Sequence, residues 1–211
     1  QEGSLKVMTS AGGLIGADLY QPKDSLLSGP AGGVVGAASI CRLAGFSNPG
    51  IRQILAFDMG GTSTDVSRYD GEFDYRYETQ VGDINLFSPS LAIETVAAGG
   101  GSCCYFDGHK LSVGPESAGA SPGPACYGFG GPLTLTDVNL LLGRVSEKYF
   151  GIPISRQKAA AALQQLKQEM QEAQGKDYSD EEILTGLLAI ANEKMTGAIR
   201  RISLRKGYDP Q

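Results

Sequence analysis

The chain has 211 residues, 41% hydrophobic and 19% charged, with a formal net charge of −5. It is long enough to bury a real core as one large domain or two small ones, and too apolar to be disordered. The acidic balance argues against nucleic acid or an anionic membrane as partner, and no apolar run approaches the roughly 18 residues of a membrane span.

Glycine is abundant, at 30 residues, and clusters in loops rather than repeating. The four cysteines, Cys41, Cys103, Cys104 and Cys126, form no C-x-x-C pair, and the chain has one His. That pattern argues against a structural zinc site and fits reduced thiols in a cytoplasmic protein.

In chain order, residues 4–15 suggest a strand followed by a turn at Gly12-Gly13. Ser28-Gly29-Pro30 opens a helix, with Ser28 or Gly29 as cap. The helix carries Ala31, Val34, Val35, Ala38, Ile40, Cys41 and Leu43 and ends at Gly45. Its small residues, Gly32, Gly33, Gly36, Ala37 and Ala38, call for close packing on another element. Ordinary helix–sheet packing explains them, and so does a contact that transmits domain closure.

Ile54-Leu55-Ala56-Phe57 is expected to form a buried strand, and Val66-Ser67-Arg68-Tyr69 a second one. Between them lies Asp58-Met59-Gly60-Gly61-Thr62-Ser63-Thr64-Asp65. Gly60 and Gly61 let backbone approach a ligand, and their amides with the hydroxyls of Thr62, Ser63 and Thr64 can cradle phosphate oxygens. Asp58 and Asp65 can hold Mg²⁺ through water or orient an attacking water, with Asp58 the expected metal residue. A plain Gly-rich hairpin is the competing reading. There is no G-x-x-x-x-G-K-[ST], and no helix follows the glycines, so the Walker and Rossmann loops do not apply. A strand-turn-strand phosphate loop of this kind resembles the actin, Hsp70 and sugar-kinase superfamily of ATPases.

Phe73, Tyr75, Tyr77 and Thr79 alternate with polar residues, as in a half-buried strand. Residues 91–96 are apolar and lead into Gly99-Gly100-Gly101, a second cluster that can lie over a ligand. Residues 103–111 read as a hairpin turning at Asp107-Gly108, with His109 on its solvated surface. A Pro- and Gly-rich loop follows over residues 113–128 and holds Cys126, which suits packing better than nucleophilic catalysis. Thr136 or Asp137 caps a short helix over residues 138–142, and Asp137 is a cap or a metal or substrate ligand. Ser155 caps a helix with Ala159, Leu163, Leu166 and Met170 on one stripe, ending at Gly175. Ser179 to Glu182 is a capping box for a last helix. Arg200, Arg201, Arg205 and Lys206 load its end and Gly207 stops it. Asn192 and Glu193 near its middle are weak site candidates.

Several segments resemble the hydantoinase A/5-oxoprolinase family, in that family's order and over nearly the whole chain. They are residues 27–36 around Ser28-Gly29-Pro30, Phe57 to Asp65, Ala98 to Ser102, Val113-Gly114-Pro115 through Gly123-Pro124-Ala125-Cys126-Tyr127-Gly128, Gly130 to Asp137, and Ile190 to Glu193. Ser121 and Cys103-Cys104 depart from the family's usual residues.

The resemblance implies an α/β fold: a partial ATPase domain of the actin/Hsp70/ribonuclease H-like kind, a mixed sheet with packed helices. Residues 1–145 would carry the second phosphate hairpin, and residues 146–211 a helical segment of the same domain. The implied activity is ATP- and Mg²⁺-dependent hydrolysis of a cyclic amide. Asp58 and Asp65 would act catalytically, and Gly60, Gly61, Thr62, Ser63, Thr64, Gly99, Gly100 and Gly101 would bind the nucleotide. A beta-type subunit of an ATP-dependent ketone carboxylase and a non-catalytic ATP-binding regulator are the alternatives. The implied partners are the small cyclic amide, the rest of the protein's own chain, and a hydantoinase B-type subunit or domain. Family members are far longer, so these residues are expected to be an internal piece.

Overall fold

A computed structural model of the chain describes residues 3–45, 53–81, 84–204 and 207–208. They fall into two compact units, one from Gln1–Asp58, Asp65–Thr95 and Ala198–Gln211, the other from Met59–Thr64 and Val96–Gly197. Both mix strands with helices, as the sequence implies.

In the first unit, β1 (Lys6–Met8) pairs antiparallel with β2 (Leu14–Gly16). The turn closes as expected, with the Gly12 amide donating to the Thr9 carbonyl at 2.9 Å. Helix α1 spans Ser28–Gly45. Its first bond runs from the Ala31 amide to the Leu27 carbonyl at 2.9 Å. Leu27, not Ser28 or Gly29, therefore holds the cap position, and its own amide donates to Ser10 Oγ at 3.0 Å. Ala31 and Val34 of α1 pack with Leu91 and Ile93 in this unit's core.

Strands β3 (Ile54–Met59), β4 (Thr64–Tyr69) and β7 (Ile93–Val96) form a sheet in the order β3-β4-β7. The middle strand is the buried one. β3 is at the edge, and Leu55, Phe57 and Met59 are 37%, 45% and 42% exposed. This corrects the buried strand expected at residues 54–57: an apolar run reports the cover a strand suits, not the neighbour it has. β5 (Tyr75–Val81) pairs antiparallel with β6 (Ile84–Leu91). Tyr75 and Tyr77 are exposed rather than half-buried.

The end of the described chain returns to this unit. The Arg68 guanidinium lies 3.8 Å from the Tyr208 ring centroid and pairs with Asp70 and Asp74. Tyr208 donates to Asp70 at 3.2 Å.

In the second unit, β8 (Ser102–Phe106) and β9 (Leu111–Ser117) form the expected hairpin. Asp107 Oδ1 accepts from the amides of His109 and Lys110 at its turn, and His109 is exposed. Helices α2 (Leu135–Leu141), α3 (Arg156–Gln174) and α4 (Asp180–Ile202) follow. Their apolar stripes meet in one core: Leu135 and Val138 of α2, Leu163, Leu166 and Met170 of α3, and Ile183, Leu184 and Leu187 of α4 pack with Val113.

Ser155 caps α3, accepting from the Lys158 amide at 3.3 Å, and Gly175 ends it in the left-handed region. The Ser179–Glu182 box forms in both directions, at 2.8 and 3.2 Å. Arg200 and Arg201 lie in the last turn of α4, while Arg205 and Lys206 lie outside the described residues.

Candidate functional site

The candidate segment joins β3 to β4. Its carboxylates belong to the first unit and its turn to the second.

Asp58, near the end of β3, is exposed and has no hydrogen bond or ion pair among the described residues. Its Oδ2 lies 3.1 Å from where a Cβ on Gly33 would stand. The missing side chain at Gly33 thus leaves the carboxylate room against α1. Asp65 opens toward the other neighbour strand and accepts from Thr95 Oγ1 at 2.6 Å. Both aspartates line a groove of about 360 Å³ with Pro30, Gly33, Phe57 and Ser67. The small residues of α1, Gly33 and Gly36, form one wall of that groove and leave it open. No group of three His, Cys, Asp or Glu capable of caging a metal occurs among the described residues.

The turn is rigidly held. The Gly60 amide donates to the Ser63 carbonyl at 2.9 Å, which closes it. The Gly60 carbonyl accepts from the Gly100 amide at 3.0 Å, and the Gly61 carbonyl from the Gly101 amide at 2.5 Å. In a trans peptide the carbonyl and the following N–H point in opposite directions. The Gly61 and Thr62 amides are therefore turned away from Gly100 and Gly101. Neither amide has an acceptor among the described residues. A Cβ on Gly61 would meet nothing within 4 Å. Two adjacent unengaged donors over open space are an arrangement that can receive an anion.

Of the hydroxyls, Thr62 Oγ1 lies 3.3 Å from Ser117 Oγ, and both can face a ligand. Thr64 Oγ1 is buried and donates to the Ala98 carbonyl at 2.6 Å, so it anchors the turn. Ser63 is half-buried.

Gly99, Gly100 and Gly101 support the turn in this conformation. The amides of Gly100 and Gly101 are engaged by Gly60 and Gly61, and that of Gly99 by Ser102 Oγ at 2.8 Å. A Cβ on Gly99 would lie 2.7 Å from Gly60 O, Gly61 C and Ser63 N, closer than real side chains approach backbone.

The loop after β9 is tied down by Asp137, which is fully buried. Its two oxygens accept from the amides of Ala125 (3.1 Å), Cys126 (2.7 Å) and Thr134 (2.8 Å) and from Thr134 Oγ1 (2.9 Å). The cap of α2 is Thr134, two residues before the expected Thr136, with Asp137 as its reciprocal partner. Burial and a hydrogen bond to Asp137 push the Cys126 thiol up to about 12, and the residue is buried against Leu140 and Ala159, which suits packing. Asn192 and Glu193 are exposed on α4.

Sequence reasoning passed over Gly33, Ser117 and Thr136 as parts of this arrangement. Helix glycine carried a signal for Gly33. Ser117 falls in the loop expected over residues 113–128 and Thr136 at an expected helix cap, and only the tertiary pairing brings them in.

The model of the hydantoinase/oxoprolinase family matches residues 1–211. The chain belongs to that family. It is 44% identical over 212 residues to the 5-oxoprolinase PfmaA of Pestalotiopsis fici, covering 97% of this chain and 16% of that protein. It is 40% identical to the 5-oxoprolinase of Dictyostelium discoideum, covering 97% and 18%. Among solved structures, nucleotide-free acetone carboxylase superposes with a TM-score of 0.82 at 26% identity, covering 98% of this chain and 29% of that one. The ATP-dependent caprolactamase of Pseudomonas jessenii superposes with a TM-score of 0.76 at 32% identity, covering 99% and 30%. The chain thus spans about a sixth of the length of the first two relatives, and nearly all of its own length is accounted for by the family.

Proposed function

We propose that these residues are part of an ATP-dependent cyclic amide hydrolase, and that Asp58 to Asp65 form its second phosphate-binding hairpin within an actin-like domain. The observation that carries this is the outward pair of amides at Gly61 and Thr62, in a chain 44% identical to a 5-oxoprolinase. ATP, when bound, supplies the phosphoryl group that makes a poorly reactive amide carbonyl electrophilic.

The residues fit that group. The Gly61 and Thr62 amides and the Thr62 hydroxyl would bind phosphate oxygens, with Gly60 and Ser63 shaping the turn and Thr64 anchoring it. Asp58, exposed and unpaired, would hold Mg²⁺ through water. Asp65, oriented by Thr95, would hold or orient a water. Fixed backbone donors at a developing negative charge need no reorganisation during the reaction. Gly99, Gly100 and Gly101 act as the support behind the turn. We place the enzyme in the cytoplasm, acting with a hydantoinase B-type subunit or domain; the name of a relative, caprolactamase subunit alpha, supports a divided enzyme. No described helix is long and apolar enough to cross a membrane.

Carboxylation of a ketone is the second reading, favoured by the TM-score of 0.82 to acetone carboxylase. Identity weighs the other way, 44% against 26%. Assaying the full-length protein with 5-oxoproline, hydantoin, caprolactam and acetone plus bicarbonate, while following ADP release, separates them. ADP release with a cyclic amide supports the hydrolase. Release only with acetone and bicarbonate selects the carboxylase, and none with any substrate overturns both.

A further inference from the structure

We propose that Thr136 is a positioning residue for the hairpin turn, acting through the peptide plane between Gly100 and Gly101. This rests on the phosphate-binding reading above. Thr136 gives both of its donors to one acceptor: its amide and its Oγ1 each lie 2.8 Å from the Gly100 carbonyl oxygen. That carbonyl shares a planar peptide unit with the Gly101 amide. Fixing the oxygen therefore aims the N–H on the other side, and it meets the Gly61 carbonyl at 2.5 Å. The next peptide plane, carrying the Gly61 carbonyl and the Thr62 amide, is fixed in turn, and the Thr62 amide faces outward.

The relay is stiff because no side chain intervenes. A Cβ on Gly100 would lie 3.0 Å from Thr136 Oγ1, and one on Gly101 would lie 3.0 Å from the Gly61 carbonyl oxygen. Thr136 itself is set by the start of α2, where Asp137 binds Thr134. Thr136 lies in the first turn of α2, where its amide has no acceptor within the helix, so both of its donors are available to Gly100.

The test compares Thr136→Val, which removes Oγ1 at constant shape, with Thr136→Ser, which keeps it, in the full-length protein. Hydrogen exchange at Gly100 and Gly101 should quicken about tenfold in the Val variant, the effect of losing one net hydrogen bond, with exchange in α3 unchanged. KM for ATP should rise by about fivefold to tenfold while Ser stays within about twofold of wild type, a pattern that general destabilisation does not produce. Wild-type exchange at Gly100 and Gly101 in Thr136→Val overturns the relay. Faster exchange with unchanged KM and kcat overturns the positioning role. Wild-type protein that releases no ADP with any substrate overturns the phosphate-binding reading and the role together, while the exchange data still judge the contact itself.

Discussion

The Asp137 carboxylate accepts the Cys126 amide at 2.7 Å, across a sequence gap of eleven residues. The same carboxylate holds Ala125 and Thr134, so one buried charge ties the loop after β9 to the start of α2. Asp137→Asn turns an acceptor oxygen into a donor facing N–H groups. Stability should fall by about 1–3 kcal/mol, the range for leaving buried donors unsatisfied. Urea unfolding measures it, and a loss under about 1 kcal/mol would mean that the loop is held by other contacts.

Gly99 and Gly61 make opposite demands on a side chain. At Gly99 a Cβ collides with three backbone atoms of the turn at 2.7 Å; at Gly61 it meets open space. Gly99→Ala should displace the turn and lower kcat/KM for ATP in the full-length enzyme by about a hundredfold, the scale of a misplacement near 1 Å. Gly61→Ala should leave stability within about 0.5 kcal/mol, yet weaken nucleotide binding by about tenfold because the methyl enters that open space. If Gly61→Ala binds Mg-ATP as the wild type does, the phosphates lie elsewhere.

Much of this was legible in the residues and some was not. Ser155, Gly175 and the Ser179–Glu182 box fix helix ends locally, and a few neighbours suffice to see them. The Gly turn between Asp58 and Asp65 is equally local. Whether Phe57 is covered depends on strand order, and β3 lies at an edge. Tyr75 and Tyr77 follow a strand alternation correctly, but alternation does not say whether anything packs on the apolar face. The support role of Gly99 to Gly101 was hidden because glycine suits close approach to a ligand and close approach to backbone equally well.

Acid should weaken the anchor of the chain's end through Asp70. A hydrogen bond from Arg68, opposed by partial burial, holds its carboxyl below the ordinary value of 3.8. A carboxylate depressed in the folded state adds stability above its unfolded value and loses it as pH falls through the folded one. The difference in urea midpoint between wild type and Asp70→Asn should be full near about pH 6 and shrink below about pH 4. A gap that stays constant down to about pH 3 would show that Asp70 contributes by packing and not by charge.

The last prediction sets stability against activity at Gly33 and Asp58. Gly33 lies inside α1 with ordinary helical backbone, so Gly33→Ala should favour the helix by up to about 1 kcal/mol. Its new Cβ would stand 3.1 Å from Asp58 Oδ2, and the carboxylate must give way by a few tenths of an ångström. If Asp58 orients a metal-bound water, the full-length enzyme should become more stable and slower, by about fivefold to tenfold. Asp58→Asn keeps the shape and removes the charge, and turnover should fall by about a hundredfold, the scale of a lost electrostatic contact to the reacting group. Thermal melts and ADP release on the same preparations read both effects. Near-normal turnover in Asp58→Asn would take the residue out of the mechanism. A Gly33→Ala enzyme that is more stable and fully active would show that the small residue serves close packing alone.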